Sequence, residues 1–358
     1  MKQVRLIAMN LLVLLALALM AEALFGQWTA ASPLGRLAVP RNISITISAA
    51  PLYPGGREFV YRRDPMGFRG HGVDPARIGV LTIGGSTTNQ LYLPEEATWQ
   101  AVLERSLRKA GHEVVVANAG IDGQSTVGMI ADLDLWFPNV PQLKPRLVLA
   151  YVGINDVYKV GPARAQAAGD EEARQILRDN LRFSGLRSEF EQRSALVRLW
   201  TTVTGSVQAS HARLRHHATD FSQARWTDQP AQPVWRAEQM ELNVAAYKDR
   251  LVRIAGLIQR LGAVSVFVTQ TRADYRLDNG RLTGIVDANG PNGVDRGRAL
   301  ARFNAATMEV CRALHVPCLD LASELRFIEG DFYDYEHNTP QGAEKIGKWL
   351  AGKLAGLV

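Results

Sequence analysis

Residues 78–88, Ile78-Gly79-Val80-Leu81-Thr82-Ile83-Gly84-Gly85-Ser86-Thr87-Thr88, hold the key to the fold. The run from Ile78 to Ile83 is short, apolar and rich in β-branched residues, and it stops at two glycines. That is the pattern of a buried strand ending in a tight turn. Open parallel sheets gather their functional loops at the carboxyl ends of strands, in the crevice where strand order reverses. Ser86 stands at such an end and is a candidate nucleophile. The pentad from Gly84 to Thr88 also suits a plain turn whose hydroxyls cap the next helix, so the choice rests on the remainder of the chain.

Outward from this turn, strands and helices alternate. Residues 94–111 predict a helix, with Pro94-Glu95-Glu96 at its start, Val102, Leu103 and Leu107 at helical spacing, and Gly111 closing it. Residues 113–118 predict a second strand leading into Asn118-Ala119-Gly120-Ile121-Asp122-Gly123-Gln124-Ser125. Residues 146–152 predict a third, ending in Gly153-Ile154-Asn155-Asp156. A fourth strand is expected over 264–269 and a fifth over 315–319, with helices over 240–261, 297–314 and 341–354. Right-handed crossovers between such strands give an α/β fold, a parallel sheet covered by helices on both faces.

Residues 157–235 break the alternation. They are too long for one crossover helix and carry many arginines, among them Arg174, Arg178, Arg182, Arg187, Arg193 and Arg198. The expectation is a helical insertion after the third strand, placed to serve as a lid or substrate wall. Its three histidines, His211, His216 and His217, lack Asp, Glu or Cys at ligand spacing and read as a solvated helix face, not a metal site.

At the amino end, Lys2 and Arg5 precede a run over 6–25 that is apolar except for Asn10 and Glu22. This is a charged n-region followed by a membrane-seeking segment. Ala21-Glu22-Ala23 offers a small-residue cleavage site for a signal peptide. The run also just reaches the roughly 20 residues an uncleaved anchor needs. Either way, the bulk of the chain is expected to be exported to a periplasm or cell surface. Residues 26–50 read as a tether, and 51–77, dense in Gly, Pro and Arg, as an ordered lead-in with little regular structure.

The 358 residues are 47% hydrophobic and 21% charged, an ordinary globular composition rather than a disordered one. The 41 basic residues against 35 acidic ones give a net charge of +6, a mild excess without a nucleic-acid module beside it, so no nucleic-acid partner is expected. The two cysteines, Cys311 and Cys318, flank a helix-to-strand junction. They suit either a bridge in an oxidising compartment or two buried thiols, and no metal site can be built from them alone.

Attack on an ester needs a nucleophile, a base, a group that orients the base, and donors for the oxyanion. Among the seven histidines, His337 alone follows the last strand, in Phe332-Tyr333-Asp334-Tyr335-Glu336-His337-Asn338-Thr339-Pro340. Asp334, three residues earlier, can hold Nδ1–H and leave Nε2 facing the serine. The backbone N–H groups of Ser86 and Gly123 and the side-chain amide of Asn155 are candidate oxyanion donors; as plain turn residues, Gly123 and Asn155-Asp156 would also be ordinary.

Gly-Gly-Ser-Thr-Thr, Asn-x-Gly-x-x-Gly, Gly-x-Asn-Asp and Asp-x-x-His resemble, in order and spacing, the four blocks of the SGNH (GDSL-like) hydrolase superfamily. Gly67-Phe68-Arg69 before the nucleophile block further resembles its bacterial membrane-anchored or secreted members. The resemblance implies a flavodoxin-like three-layer α/β/α sandwich with a five-stranded parallel sheet, in a hydrolase domain over 51–358. It implies Ser86 as nucleophile, His337 as base, Asp334 as its partner, and Gly123 and Asn155 as oxyanion donors beside Ser86. It also implies ester hydrolysis without metal or organic cofactor. Two departures stand out. Gly85 replaces the family's Asp, and Gly123-Gln124-Ser125 replaces its Gly-Asp-Thr. No Gly-Lys-Ser/Thr follows the glycines, which excludes a P-loop. The expected substrate is an ester, with O-acetyl groups of a surface or extracellular polysaccharide as the leading class. Acyl transfer, lipid esters and a non-catalytic carbohydrate-binding role are the alternatives.

Overall fold

The computed structural model describes residues 2–26, 28, 34, 37, 39–158, 193–197, 216–278 and 280–358. In chain order it begins with α1 (Lys2–Phe25), followed by the hairpin strands β1 (Ile43–Ser48) and β2 (Glu58–Arg63). Next come β3 (Ile78–Gly84), the single turn α2 (Ser86–Asn89), α3 (Trp99–Lys109), β4 (Val115–Asn118), α4 (Thr126–Ala131), β5 (Leu147–Tyr151) and α5 (Ile154–Tyr158). After 216 it forms β6 (Trp226–Thr227), α6 (Ala237–Arg260), β7 (Val264–Val268), β8 (Tyr275–Asp278), β9 (Arg281–Ile285), α7 (Gly293–Leu314), β10 (Cys318–Leu319), α8 (Leu321–Glu324) and α9 (Pro340–Leu354).

Five strands form the central sheet in the order β10-β7-β5-β3-β4, and every pairing is parallel. Counted among themselves they run 2-1-3-4-5, the flavodoxin-like order, which reverses between β3 and β5. The pleat sorts their side chains. Leu147, Leu149 and Tyr151 of β5 join Trp99, Leu103, Leu107, Ile346 and Leu350 of α3 and α9 on one face. Val148 and Ala150 join Met129, Leu251, Ile254 and Phe303 of α4, α6 and α7 on the other. Both faces are therefore buried, which is why the strands read as continuous apolar runs.

The helix ends follow local chemistry. Asn292 and Asp295 close a capping box at the start of α7. Thr339 caps α9, with Pro340 in its first turn, so the segment carrying His337 ends on a fixed helix start.

Several expectations change. The tether over 26–50 is ordered from its middle onward: β1 pairs antiparallel with β2, Ile43 opposite Arg63, and Val39 and Ala49 are buried. Ile43-Ser44-Ile45-Thr46-Ile47-Ser48 alternates with the period of a half-buried strand, a signal easily lost among short polar residues. The lead-in over 51–77 likewise contains β2. A small antiparallel sheet, β6-β9-β8, was not anticipated. Most of the insertion expected over 157–235 lies outside the described residues, including His211, Arg174, Arg178, Arg182, Arg187 and Arg198. Its described tail, 216–235, is not helical apart from the 3-10 turn Phe221–Gln223, and Val157 belongs to α5. Cys311 and Cys318 form a disulfide across the α7–β10 junction. Among the described residues one helix, Gln3–Phe25, is long and apolar enough to cross a membrane.

Candidate active site

Ser86 follows β3 and Asn155 follows β5, so the two flank the point where strand order reverses. His337 Nε2 lies 2.8 Å from Ser86 Oγ, although 251 residues separate them. His337 Nδ1 lies 2.8 Å from Asp334 Oδ2 and 3.0 Å from Oδ1. The tautomer consistent with both contacts carries its proton on Nδ1, bound to the carboxylate, and leaves Nε2 to accept from the hydroxyl.

Asp334 is held by its own loop. Its Oδ1 accepts the N–H of Glu336 at 2.8 Å and that of His337 at 2.7 Å. Tyr333 N–H closes the turn onto His337 O at 3.0 Å. Burial pushes the Asp334 carboxyl up, but the His337 imidazole and the two N–H donors outweigh it and hold the pKa below the ordinary carboxylate value. The pair therefore keeps its negative charge beneath the imidazole at neutral pH.

The second and third loops meet the Ser86 turn at Gly85. A Cβ built there would lie 2.2 Å from Asn155 Nδ2 and 3.0 Å from Gln124 O, so the Asn155 amide rests against the backbone before the serine. The same amide donates to Gln124 O at 2.8 Å. Gly123 adopts φ +78°, a conformation that favours glycine. Among the described residues, neither the Ser86 nor the Gly123 N–H has an acceptor. The five residues singled out in the sequence thus lie on four loops that converge at one crevice.

Around them lies a shell with weaker sequence signals. Asp156 accepts from Thr126 and pairs with Arg250 Nη2 at 3.3 Å, pinning the start of α4 to the Asn155 loop. The Gly67-Phe68-Arg69 element serves the turn after Ser86. Arg69, buried, donates to the carbonyls of Asn89, Gln90 and Leu93, at the end of α2 and just after it. Burial lowers its pKa to about 10, so it stays charged at neutral pH. Arg63, also buried, bonds Gly67 O at 2.7 Å and Gly120 O, linking the hairpin to the second loop.

His216 corrects the reading of a solvated face. It is half-buried against the site: its ring lies 4.2 Å from that of His337 and 4.8 Å from that of Tyr92, and Nδ1 is 2.9 Å from Tyr333 Oη. His216, Asp334 and His337 offer ligand atoms within 4.8 Å of one another. The two imidazole planes are inclined by only 34°, which aims their in-plane lone pairs side by side instead of at a common point. The cluster fits a hydrogen-bonded array better than a cation site. The exposed neighbour His217 keeps the solvated position expected of it.

The three-layer α/β fold together with the family match supports a carboxylic ester hydrolase. The chain belongs to the GDSL-like lipase/acylhydrolase family, whose model matches residues 82–345. Solved structures similar to it include a carbohydrate acetylesterase from Sinorhizobium meliloti, at 11% identity and TM-score 0.41 over 78% of this chain and 100% of that one. The lipase/acylhydrolase of Enterococcus faecalis aligns at 16% identity and TM-score 0.41, over 78% of this chain and 96% of that one. The aryl esterase of M. smegmatis aligns at 14% identity and TM-score 0.39, over 78% and 99%. No curated protein matches the chain.

Proposed function

We propose that the protein is an exported serine esterase that forms an acyl-enzyme on Ser86, with O-acyl groups of a surface or extracellular polysaccharide as substrate. The observation that carries the reading is the continuous chain from Ser86 Oγ through both nitrogens of His337 to Asp334. In this reading Oγ attacks the ester carbonyl carbon while its proton passes to Nε2. The carbonyl oxygen takes the displaced electron pair and faces the N–H groups of Ser86 and Gly123 and the Asn155 amide. Collapse expels the alcohol, which takes the proton back from Nε2. Water then repeats the attack on the acyl-enzyme and releases the acid.

Export is supported by α1 and by the Cys311–Cys318 bridge, which persists in oxidising compartments. Retention of α1 as an anchor is favoured by Glu22, in the middle of the small-residue stretch. Its carboxylate accepts from Ser194 Oγ at 2.5 Å and from the N–H groups of Ala195 and Leu196 at 3.0 Å, joining the helix end to residues 194–196. The polysaccharide class rests on export, on the arginine-rich insertion, and on the lack of a long apolar lipid-binding run outside the leader.

The test is labelling of the purified protein with a fluorophosphonate, the modified peptide being located by mass. Label at Ser86, lost in His337→Ala, is the expected result. A folded protein that takes no label would overturn the reading in favour of a binding role. Acetate from an O-acetylated polysaccharide then separates hydrolysis, which frees it, from transfer, which moves it to a sugar acceptor. A preference for long acyl chains on simple esters would point to lipid instead.

A further inference from the structure

His216 stands where a second imidazole has chemical consequences. Its ring lies 4.2 Å from that of His337, its Nδ1 is 2.9 Å from Tyr333 Oη and 3.7 Å from Asp334 Oδ2, and its side chain is 20% exposed. Tyr333 is a neutral phenol, because burial first and the neighbouring Asp334 second raise its pKa well above the ordinary value. The phenol therefore has a proton to donate, and His216 Nδ1 accepts it in the Nε2–H tautomer. The Tyr333 ring also stacks on His337, at 5.7 Å and 13°. His337 thus meets two aromatic faces that are themselves hydrogen-bonded to each other.

We propose that His216 is a positioning residue for His337 and acts only while its own imidazole is neutral. The inference rests on the reading of His337 as the base of Ser86. When His337 takes the serine proton it becomes a cation, and a neutral aromatic face 4.2 Å away steadies that cation and restrains its ring. A protonated His216 reverses the effect. It places like charge against the forming imidazolium, slowing the step on the order of a thousandfold at the effective dielectric of such a site. It also reverses the Tyr333 hydrogen bond, Nδ1–H then donating to Oη, and competes with His337 for Asp334.

The groups that face His216 come from several elements. His337, Tyr333, Asp334 and Glu336 belong to the last loop, Tyr92 follows α2, and Asp122 lies on the loop after β4. Burial first and His337 second hold its pKa below the ordinary imidazole value, against the pull of the three carboxylates, which keeps it neutral at pH 7.

The experiment is the rate of fluorophosphonate labelling of Ser86 followed from neutral pH into the acid range, each variant scaled to its own neutral plateau. For the wild type the fall should begin as soon as either imidazole takes a proton, because the repulsion that slows the step also keeps the two from charging together. His216→Phe keeps an aromatic face and cannot charge, so its fall should begin at lower pH. His216→Gln keeps an acceptor for Tyr333 without a ring, so it should share the later fall and, per folded protein, have a plateau about tenfold lower before scaling. Scaling removes differences in the amount of folded protein from the position of the fall. A His216→Phe fall that begins at the same pH as the wild type, or a His216→Gln plateau equal to the wild type per folded protein, would overturn the inference. Labelling of Ser86 that persists in His337→Ala would instead overturn the reading of the base.

Discussion

Gln270 Nε2 donates to Thr87 Oγ1 at 2.8 Å, across 183 residues of chain. Its Oε1 accepts the N–H of Ile154 at 2.8 Å, and Asn304 Nδ2 holds its carbonyl at 2.8 Å. One buried amide after β7 therefore ties the residue following Ser86 to the residue preceding Asn155. Replacing it by leucine strands the Ile154 N–H without an acceptor, at a cost of about 1–3 kcal/mol of stability. The two turns then drift apart, and a displacement of about 1 Å at such a site costs on the order of a hundredfold in rate. Urea unfolding and labelling of Ser86 in Gln270→Leu check both halves. Full-rate labelling in a destabilised variant would leave Gln270 a role in folding only.

Gly85 and Asn155 make a second sharp prediction. The atom nearest to a Cβ at 85 is Asn155 Nδ2, the end of a side chain, so Gly85→Ala should fold and push the amide aside. If that amide is an oxyanion donor, turnover falls about 100- to 1,000-fold, as for the loss of one such donor. Gly85→Ala combined with Asn155→Ala should then be little worse than either alone, because both remove the same interaction. Additive losses measured on a simple ester would show that residue 85 acts by another route.

Ser86 was legible because it occupies a strand end, which can be counted from sequence, and Asp334 with His337 because they stand in the loop just before the last helix. β3, β5 and β7 are apolar along their whole length since helices cover both faces, so their runs stand out. The β1–β2 hairpin alternates isoleucine with serine and threonine and blends into a polar tether. β10 survives as only two residues, and β6 pairs with β9 from more than fifty residues away, Trp226 opposite Ile285. His216 and Gln270 gave no local signal at all. Their roles depend on where the chain returns after a long excursion, which spacing within a short window does not encode.

The Cys311–Cys318 bridge closes a short loop, with a sequence separation of 7, at the end of α7. Chain-entropy reasoning for so short a loop gives about 2.5 kcal/mol of stabilisation. The bridge ends at the first residue of β10, whereas the His337 segment lies well after that strand. Reduction, or a Cys311→Ser/Cys318→Ser variant, should lower the unfolding free energy by about that amount while Ser86 still takes label at the wild-type rate under native conditions. A lost labelling rate without lost stability would couple the bridge to the site.

Asp132 supplies a pH dependence whose sign runs opposite to that of Asp334. It is 2% exposed, accepts from Gln124 Nε2, and burial pushes its carboxyl up from 3.8 to about 8. Between those values the folded chain holds a proton that the unfolded chain has released, so this contribution to stability is complete below about 4 and lost as pH rises through about 8. For Asp334, whose folded pKa is lowered, stability is instead present above the ordinary carboxylate value and lost as pH falls. An asparagine at 132 reproduces the neutral acid at every pH. Asp132→Asn should therefore match the wild type only below about pH 4, gain on it as pH rises from about 4 to about 8, and exceed it above that by about 1–3 kcal/mol, the cost of ionising a buried carboxylate with one donor. Denaturant unfolding of both proteins across that range decides it. Parallel curves would mean that Asp132 is already ionised in the folded state, with solvent reaching a side chain that the fold encloses.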